Sequence, residues 1–396
     1  MARVTDIRLP AGLRDRLSAG HPWVYRTHVP AEIDLPPGAR VRVRSGNFQA
    51  YGIWDAAGPI AVRLFATRSA PDDALIVAQV RAAWELRAPL RATGITAYRW
   101  LFGEGDGLPG IVVDRYDDFA VLATYSAGVA TLTDAVVRAL HACDPALRGV
   151  VVRRRDAEDE ERATGVRGHT VLGEAPPADL VVVEHGLRFY ADLFNGQKTG
   201  LFLDQRENRR AAEQWSSGRT ILNCFSYTGA FSLYALRGGA RHVTSADIGK
   251  GLAEATEANL VLNDIDLARH RFVTEDCFAL LERYAAEGRR FDMVIVDPPS
   301  FARNREQRPA ALHAYTRLNN AALRCVVPGG LIVSASCTSQ VGPEAFREVV
   351  AEAAASADRR VQLLYDAGHA LDHPVPPQFP EGRYLKCLIG RVSERV

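Results

Sequence analysis

The rhythm of hydrophobic and polar residues changes twice along the chain. Arg40-Val41-Arg42-Val43-Arg44 alternates charged with apolar residues, the period of two expected where one face of a strand is buried. Ser45-Gly46-Asn47 is a turn signal, after which Ala50-Tyr51-Gly52-Ile53-Trp54 and Ala61-Val62-Arg63-Leu64-Phe65 resume extended character. Short strands at this spacing predict a small barrel-like β unit. Over residues 74–90 the apolar positions Leu75, Val77, Val80 and Trp84 recur near the helical period. A glycine-rich loop over residues 102–110 then feeds a strand at 111–114. The charged, glycine-punctuated stretch 153–169 reads as an exposed hairpin or connector.

From about Leu180 the pattern becomes an alternation of strands and helices. Apolar strands are predicted at 221–225, 242–246, 271–274, 293–296 and 331–335, with helices from about Ala230 and over 253–262. Two more strands, 361–365 and 384–389, close the chain. Strands separated by helices imply βαβ crossovers and a mostly parallel sheet covered on both faces. The expected organisation is three domains: 1–70, 71–179 and 180–396.

Composition narrows the class. The chain has 396 residues, 47% hydrophobic and 24% charged, with 48 basic against 47 acidic residues. That is ordinary globular composition, and it excludes a disordered or fibrous protein and a non-specific cationic coat. Only Lys198, Lys250 and Lys386 are lysines; the other basic residues are arginine. The six cysteines form no CxxC pair and no zinc spacing. The first residues lack an apolar signal core, and no run approaches the roughly 18 apolar residues of a membrane span. A cytoplasmic protein without structural metal is the expectation.

In a parallel sheet, ligands bind outside the carboxyl ends of the strands. After the first strand of the third region stands Phe225-Ser226-Tyr227-Thr228-Gly229-Ala230-Phe231, with one glycine where a dinucleotide fingerprint needs three. This argues against NAD or FAD and leaves room for a cofactor without phosphates, such as S-adenosylmethionine (SAM). Asp247 follows the second strand, where a carboxylate can accept both ribose hydroxyls. Asp276, after the third, can meet an adenine amino group, with Phe278 packed nearby. Asp297-Pro298-Pro299-Ser300-Phe301 follows the fourth, and its double proline makes a rigid exit that presents Asp297 beside a flat heterocycle. Cys337 follows the fifth, within Ser336-Cys337-Thr338, and is the candidate nucleophile. Cys143, Cys325 and Cys387 are expected in the core, and Cys224 and Cys277 to pack. Gly196-Gln197-Lys198-Thr199-Gly200 lacks the spacing of a phosphate loop, which rejects ATP. Asp204 is expected to cap a helix carrying Arg206, Asn208 and Arg209.

Together these motifs resemble the class I SAM-dependent methyltransferases of the rRNA large-subunit methyltransferase I type, which make 5-methylcytosine in 23S rRNA. The resemblance rests on residues 196–200 with Phe202-Leu203-Asp204-Gln205-Arg206, then 225–231, 297–301 and 336–338, and it covers essentially the whole chain. Thr338 stands where the family has Ser, and keeps the hydroxyl. The resemblance implies an α/β fold: a Rossmann-like methyltransferase with a mostly parallel seven-stranded sheet, preceded by a small β-barrel PUA domain and a central α+β domain. Gly20-His21-Pro22-Trp23-Val24-Tyr25 and Gly52-Ile53-Trp54 are similar to PUA signatures, with Trp23 and Tyr25 expected in the core. The Arg40, Arg42 and Arg44 face is then either a phosphate track or a solvated strand face.

Carried over residue by residue, the resemblance assigns cofactor binding to Lys198, Thr199, Phe202, Gln205, Arg206, Phe225, Tyr227, Thr228, Gly229, Asp247, Asp276 and Asp297. The catalytic pair is Cys337 and Asp297. Cytosine C5 is a poor nucleophile, and thiolate attack on C6 gives C5 enamine character that lets it take a methyl group. Asp297 at the base edge can hold N3 and the exocyclic amine; no residue declares itself as the base that removes the C5 proton. The expected partner is RNA, 23S rRNA, with no membrane or DNA, and oligomeric state is open, a homodimer included. Rival readings are methylation of another RNA base (uracil C5 or a purine), a small-molecule methyltransferase, and a non-catalytic ribosome-assembly factor.

Overall fold

The computed structural model describes residues 4–154 and 168–395. Residues 155–167 of the predicted connector lie outside the described residues. The chain divides into two compact units. The first comprises residues 1–186, 190–203 and 371–382, and the second 187–189, 204–370 and 383–396.

The first unit holds two sheets. One is five-stranded, built from β1 (Thr5–Arg8), β2 (Trp23–Tyr25), β3 (Arg40–Ser45), β4 (Phe48–Trp54) and β5 (Ile60–Ala66), in the order β1-β3-β4-β5-β2. The alternation in β3 does what it predicts: Val41 and Val43 are buried while the intervening arginines face outward. Arg42 is paired with the Asp6 carboxylate and Arg40 donates to the Pro71 carbonyl, so two arginines of this face have partners within the fold. Trp23 and Tyr25 are half-buried rather than core. The Trp23 indole donates to Glu104 at 2.7 Å and meets the Phe379 ring edge-on at 4.6 Å between centroids.

The second sheet contains β6 (Ala97–Phe102), β7 (Ile111–Tyr116), β8 (Phe119–Thr124), β9 (Gly149–Arg154) and β10 (His169–Gly173) in the order β10-β9-β8-β7-β6. Helices α1 (Asp73–Leu86) and α2 (Thr133–Cys143) contribute to its core through Ile76, Val80, Val136 and Leu140. The predicted helix 74–90 breaks at Arg87, where a separate turn, Ala88–Arg91, begins. Pro89 has no N–H to continue the ladder and its ring crowds the carbonyl four residues back. Buried Arg87 then makes a two-pronged pair with Asp106 and donates to the Arg99 and Asp372 carbonyls. Arg99 forks onto Asp114, which is fully buried and also accepts the Thr199 hydroxyl at 2.5 Å.

After β11 (Val181–Glu184) and β12 (Leu187–Tyr190), the second unit is built on one sheet. Its strands are β13 (Thr220–Cys224), β14 (His242–Asp247), β15 (His270–Thr274), β16 (Phe291–Val296), β17 (Val326–Ser336), β18 (Arg359–Ala367) and β19 (Lys386–Glu394). The order is β15-β14-β13-β16-β17-β19-β18, parallel from β15 to β17 and antiparallel at β19 and β18. The helices are α3 (Arg206–Glu213), α4 (Ala230–Arg237), α5 (Leu252–Leu262), α6 (Cys277–Ala286), α7 (Arg308–Arg324) and α8 (Pro343–Ser356). Leu222, Val294, Val296 and Ile332 of the sheet share a core with Leu280, Leu281, Leu318 and Ala353 of α6, α7 and α8. Among the described residues, no helix is long and apolar enough to cross a membrane. All six cysteines are free, with Cys224, Cys277, Cys325 and Cys387 buried as expected and Cys143 half-buried.

A polar chain crosses the apolar sheet: Asn223 of β13 donates to Ser232 of α4, which bonds Ser245 of β14, which bonds His270 of β15 at 2.8 Å. Burial, with a smaller contribution from His242, pushes the His270 imidazole down to about 4. An unfolded histidine titrates near 6.5, so the neutral ring stabilises the fold above that pH, and this contribution is lost as pH falls from about 6.5 to 4.

Two predictions follow from this packing. Arg99→Met strands the Asp114 carboxylate in the core and is expected to cost about 3–5 kcal/mol, read as a lower urea midpoint; an unchanged midpoint would show that the ion pair carries no stability. Wild-type protein should lose more melting temperature between pH 7 and pH 5 than His270→Phe does, and parallel curves would rule out the histidine linkage.

Candidate active site

The parallel pairing brings five loops to one edge of the second unit's sheet. From β13 the chain moves to β14 and β15 on one side, then to β16 and β17 on the other, so the order reverses at β13 and β16. Such a reversal opens a crevice at the carboxyl ends of the strands. Along that edge follow Asp276, Asp247, residues 225–229, Asp297 and Cys337.

The turn after β13 is conformationally costly. Phe225 and Tyr227 have φ of 59° and 49°, and Gly229 has 81°. Left-handed backbone costs a residue with a Cβ about 1–3 kcal/mol and persists only when its surroundings enforce it. Here the enforcing bonds are visible. Phe225 N–H donates to the Cys277 thiol sulfur at 3.2 Å, Ser226 N–H to the Ala246 carbonyl at 3.1 Å, and Tyr227 N–H to Asp247 Oδ2 at 3.0 Å. A Cβ on Gly229 would lie 2.4 Å from a Thr256 methyl, so glycine is required for space as well as for φ.

Asp247 is therefore held as well as holding. Its other oxygen accepts the Gly249 N–H at 3.0 Å, which fixes the carboxylate plane at the end of β14 and leaves each oxygen a further lone pair. Asp276 is exposed and caps α6, accepting the Ala279 N–H at 3.0 Å through one oxygen. The Ser226 and Thr228 hydroxyls lie buried with no hydrogen-bond partner among the described residues. Orphaned hydroxyls beside a fixed carboxylate fit a polar, hydroxyl-bearing ligand such as a nucleoside.

Asp297 leaves the buried end of β16 half-exposed. Gln205 Nε2 donates to its Oδ1 at 2.9 Å. Gln205 is itself oriented by Asn208 at 2.6 Å, and Asn208 accepts the Tyr365 hydroxyl and donates to the Gly368 carbonyl. Sequence reasoning gave Gln205 to the cofactor and overlooked the roles of Asn208 and Tyr365. Their periodicity is that of an ordinary helix and strand, so no local signal marks them. Arg206 is fully buried and bonds Glu207. Asp204 does not cap α3: Gln205 occupies the cap position without a side-chain bond, and Asp204 accepts the Tyr384 hydroxyl at 2.7 Å.

Cys337 stands just past β17, half-buried, and its thiol donates to the Pro298 carbonyl at 3.7 Å. The structure thus brings the cysteine to the Asp-Pro-Pro turn that the sequence placed beside it only by analogy of position. Thr338 Oγ1 donates to the Ala302 carbonyl at 2.8 Å, tying the same two loops. Rings of Phe225, Phe278, Phe301 and Tyr315 follow one another with centroids 6.2, 5.8 and 4.6 Å apart.

Lys198, Thr199 and Phe202 belong to the first unit, and the remaining predicted site residues to the second. Within the first, Lys198 lies over the Phe202 ring at 4.5 Å with φ of 52°, and the buried Thr199 hydroxyl is shared between Asp114 and Tyr116.

Comparison with known proteins identifies the family. A family model for S-adenosylmethionine-dependent methyltransferases matches residues 146–378, and one for PUA-like domains matches 7–67. The chain belongs to the SAM-dependent methyltransferase family. A protein of Erwinia tasmaniensis named ribosomal RNA large subunit methyltransferase I is 36% identical over 97% of this chain and 98% of its own. A protein of the same name from Aliivibrio fischeri is 36% identical over 98% and 99%. Among solved structures, a methyltransferase complexed with SAH is 24% identical at a TM-score of 0.87, covering 98% of this chain and 100% of that one. A SAM-dependent methyltransferase from Streptococcus mutans reaches 0.85 at 22% identity, covering 98% and 100%. The cofactor is SAM, the fold is the α/β methyltransferase fold, and the N-terminal sheet is a PUA-like domain.

Because both Asp247 oxygens keep their backbone bonds when the side chain becomes an amide only at a loss, Asp247→Asn should weaken SAM binding about 10- to 100-fold by calorimetry. Unaltered affinity would remove Asp247 from the cofactor site.

Proposed function

We propose that the protein is an rRNA methyltransferase that forms 5-methylcytosine in 23S rRNA through a covalent adduct between Cys337 and C6 of the target base. The observation that carries this reading is the Cys337 thiol bonded to the Pro298 carbonyl, beside a carboxylate that Gln205 holds in place. Relatives that cover almost the whole chain and are named for large-subunit rRNA methylation support the substrate class.

The residues divide the work. Phe225, Tyr227, Thr228, Gly229, Asp247 and Asp276 bind the nucleoside part of the cofactor, with Asp247 as ribose acceptor and Asp276 offering its second oxygen to the adenine amine. Lys198, Thr199, Phe202, Gln205 and Arg206 complete the cofactor set, of which Gln205 acts through Asp297. Bound SAM supplies an electrophilic methyl group on a sulfonium. Asp297 accepts from the cytosine exocyclic amine and N3 once that ring nitrogen carries a proton, and so favours charge built up in the ring. The Cys337 thiolate adds to C6, C5 takes the methyl group and leaves the thioether S-adenosylhomocysteine, the C5 proton passes to water, and the C6–S bond breaks as the C5–C6 double bond re-forms and releases the thiolate. The base must leave its stack to reach this edge. The PUA-like domain, within residues 1–70, supplies RNA affinity, the central region 71–179 joins it to the catalytic region 180–396, and the setting is the cytoplasm.

Labelled SAM with unmodified rRNA, followed by nucleoside analysis, tests the proposal. Wild-type protein should place label in 5-methylcytosine of 23S rRNA; Cys337→Ala should fall to background and Asp297→Asn by about 10²–10³-fold. Label in 5-methyluridine or in a purine would change the target base. Label that survives Cys337→Ala would end the covalent mechanism, and no label in any RNA would favour a small-molecule substrate.

A further inference from the structure

Lys386 opens β19 and pairs in register with Ser336, the last residue of β17, next to Cys337. It is 2% exposed. Its ammonium donates to the Thr338 carbonyl at 2.5 Å and to the Tyr384 carbonyl at 2.9 Å. Among the described residues no carboxylate pairs with it, although a buried cation is costly without a counter-charge. Two carbonyl dipoles leave that charge only partly compensated. Burial pulls the lysine down to about 8, and the neighbouring Cys337 is the group that opposes this.

The other groups facing this corner are anionic or neutral. Asp297 follows β16, and its carboxylate opposes a negative charge on either neighbouring thiol or phenol. Tyr315 of α7 and Cys387 of β19 are both pushed up by burial and stay protonated. Asp366 on β18 is paired with Arg347. The buried face of α8, Phe346, Val349 and Val350, carries no charge.

We infer that Lys386 is a positioning residue whose ammonium holds Cys337 as the reactive thiolate and whose two carbonyl bonds fix it beside the Ser336–Thr338 turn. This rests on the proposed nucleophilic role of Cys337. The step is an acid dissociation: the Cys337 S–H bond breaks, its proton passes to water, and the Lys386 ammonium keeps its own. A nearby cation of this kind is a recognised route to an activated thiolate.

The test is alkylation of the full-length protein by iodoacetamide across pH 6–10, followed on the Cys337 peptide by mass spectrometry. Wild-type Cys337 should react with an inflection below ~8.5, the value of an ordinary free thiol. Lys386→Met should slow alkylation at pH 7 about tenfold and move the inflection up, corresponding to roughly one pH unit. Lys386→Arg, which keeps the charge, should restore most of the rate. Lys386→Gln keeps donors for the carbonyls without the charge and should behave like Lys386→Met, which separates electrostatics from simple packing. Retained SAM binding by calorimetry checks that each variant folds. A wild-type inflection at or above ~8.5 would overturn the inference without any variant, as would coincident profiles for wild type and Lys386→Gln. Methyl transfer by Cys337→Ala reports separately on the nucleophile: activity there would end that role while leaving the alkylation profiles to read the lysine–thiol coupling.

Discussion

Everything in the catalytic unit depends on parallel pairing on both sides of β13. Cys224 pairs with Ala246 of β14 and with Val296 of β16, so three chains end at one level with their carboxyl termini pointing the same way. A parallel strand forces a crossover before the next one, and each crossover begins with a loop at that edge. Five loops distant in sequence are thus delivered to a common line by backbone hydrogen bonds alone. The antiparallel strand β19 then pairs with β17 and brings a lysine back against its end.

Two carboxylates on this edge are fixed by different means. Asp247 is gripped by backbone N–H groups, one of them from the strained turn, so turn and carboxylate constrain each other. Asp297 is oriented by a side-chain amide at the end of a relay through Asn208 and Tyr365. A backbone grip is stiff. A side-chain relay is softer, since each of its links can change rotamer.

Much of this was legible in the residues. The period-two pattern of residues 40–44 gave a strand, the apolar runs at 221–225 and 293–296 gave buried parallel strands, and the residues after each strand gave the edge. What escaped has physical reasons. Pro89 breaks a helix that periodicity alone continues, since apolar spacing says nothing about a missing N–H. Asp204 reads as a cap because caps are short-range, whereas its partner Tyr384 is remote in sequence. Trp23 and Tyr25 read as core because aromatic residues usually are, yet their polar atoms draw them to Glu104 and Glu381 at a half-buried surface. Lys386 carried a signal that was available: one of three lysines in an arginine-rich chain, set in an apolar strand.

The first unit is assembled from pieces far apart in sequence. Residues 371–382 leave the catalytic unit between β18 and β19 to join it. There Asp372 accepts from the Arg99 backbone and Arg87, Phe379 packs on Trp23, and Glu381 receives Arg16. On a ribosome this has an order. The residues of the PUA-like domain and the central sheet emerge early, but the last segment that completes their polar network is made only when the chain is almost finished. The first unit is therefore completed after the catalytic sheet has most of its strands, and no single cut in the chain can release either unit whole.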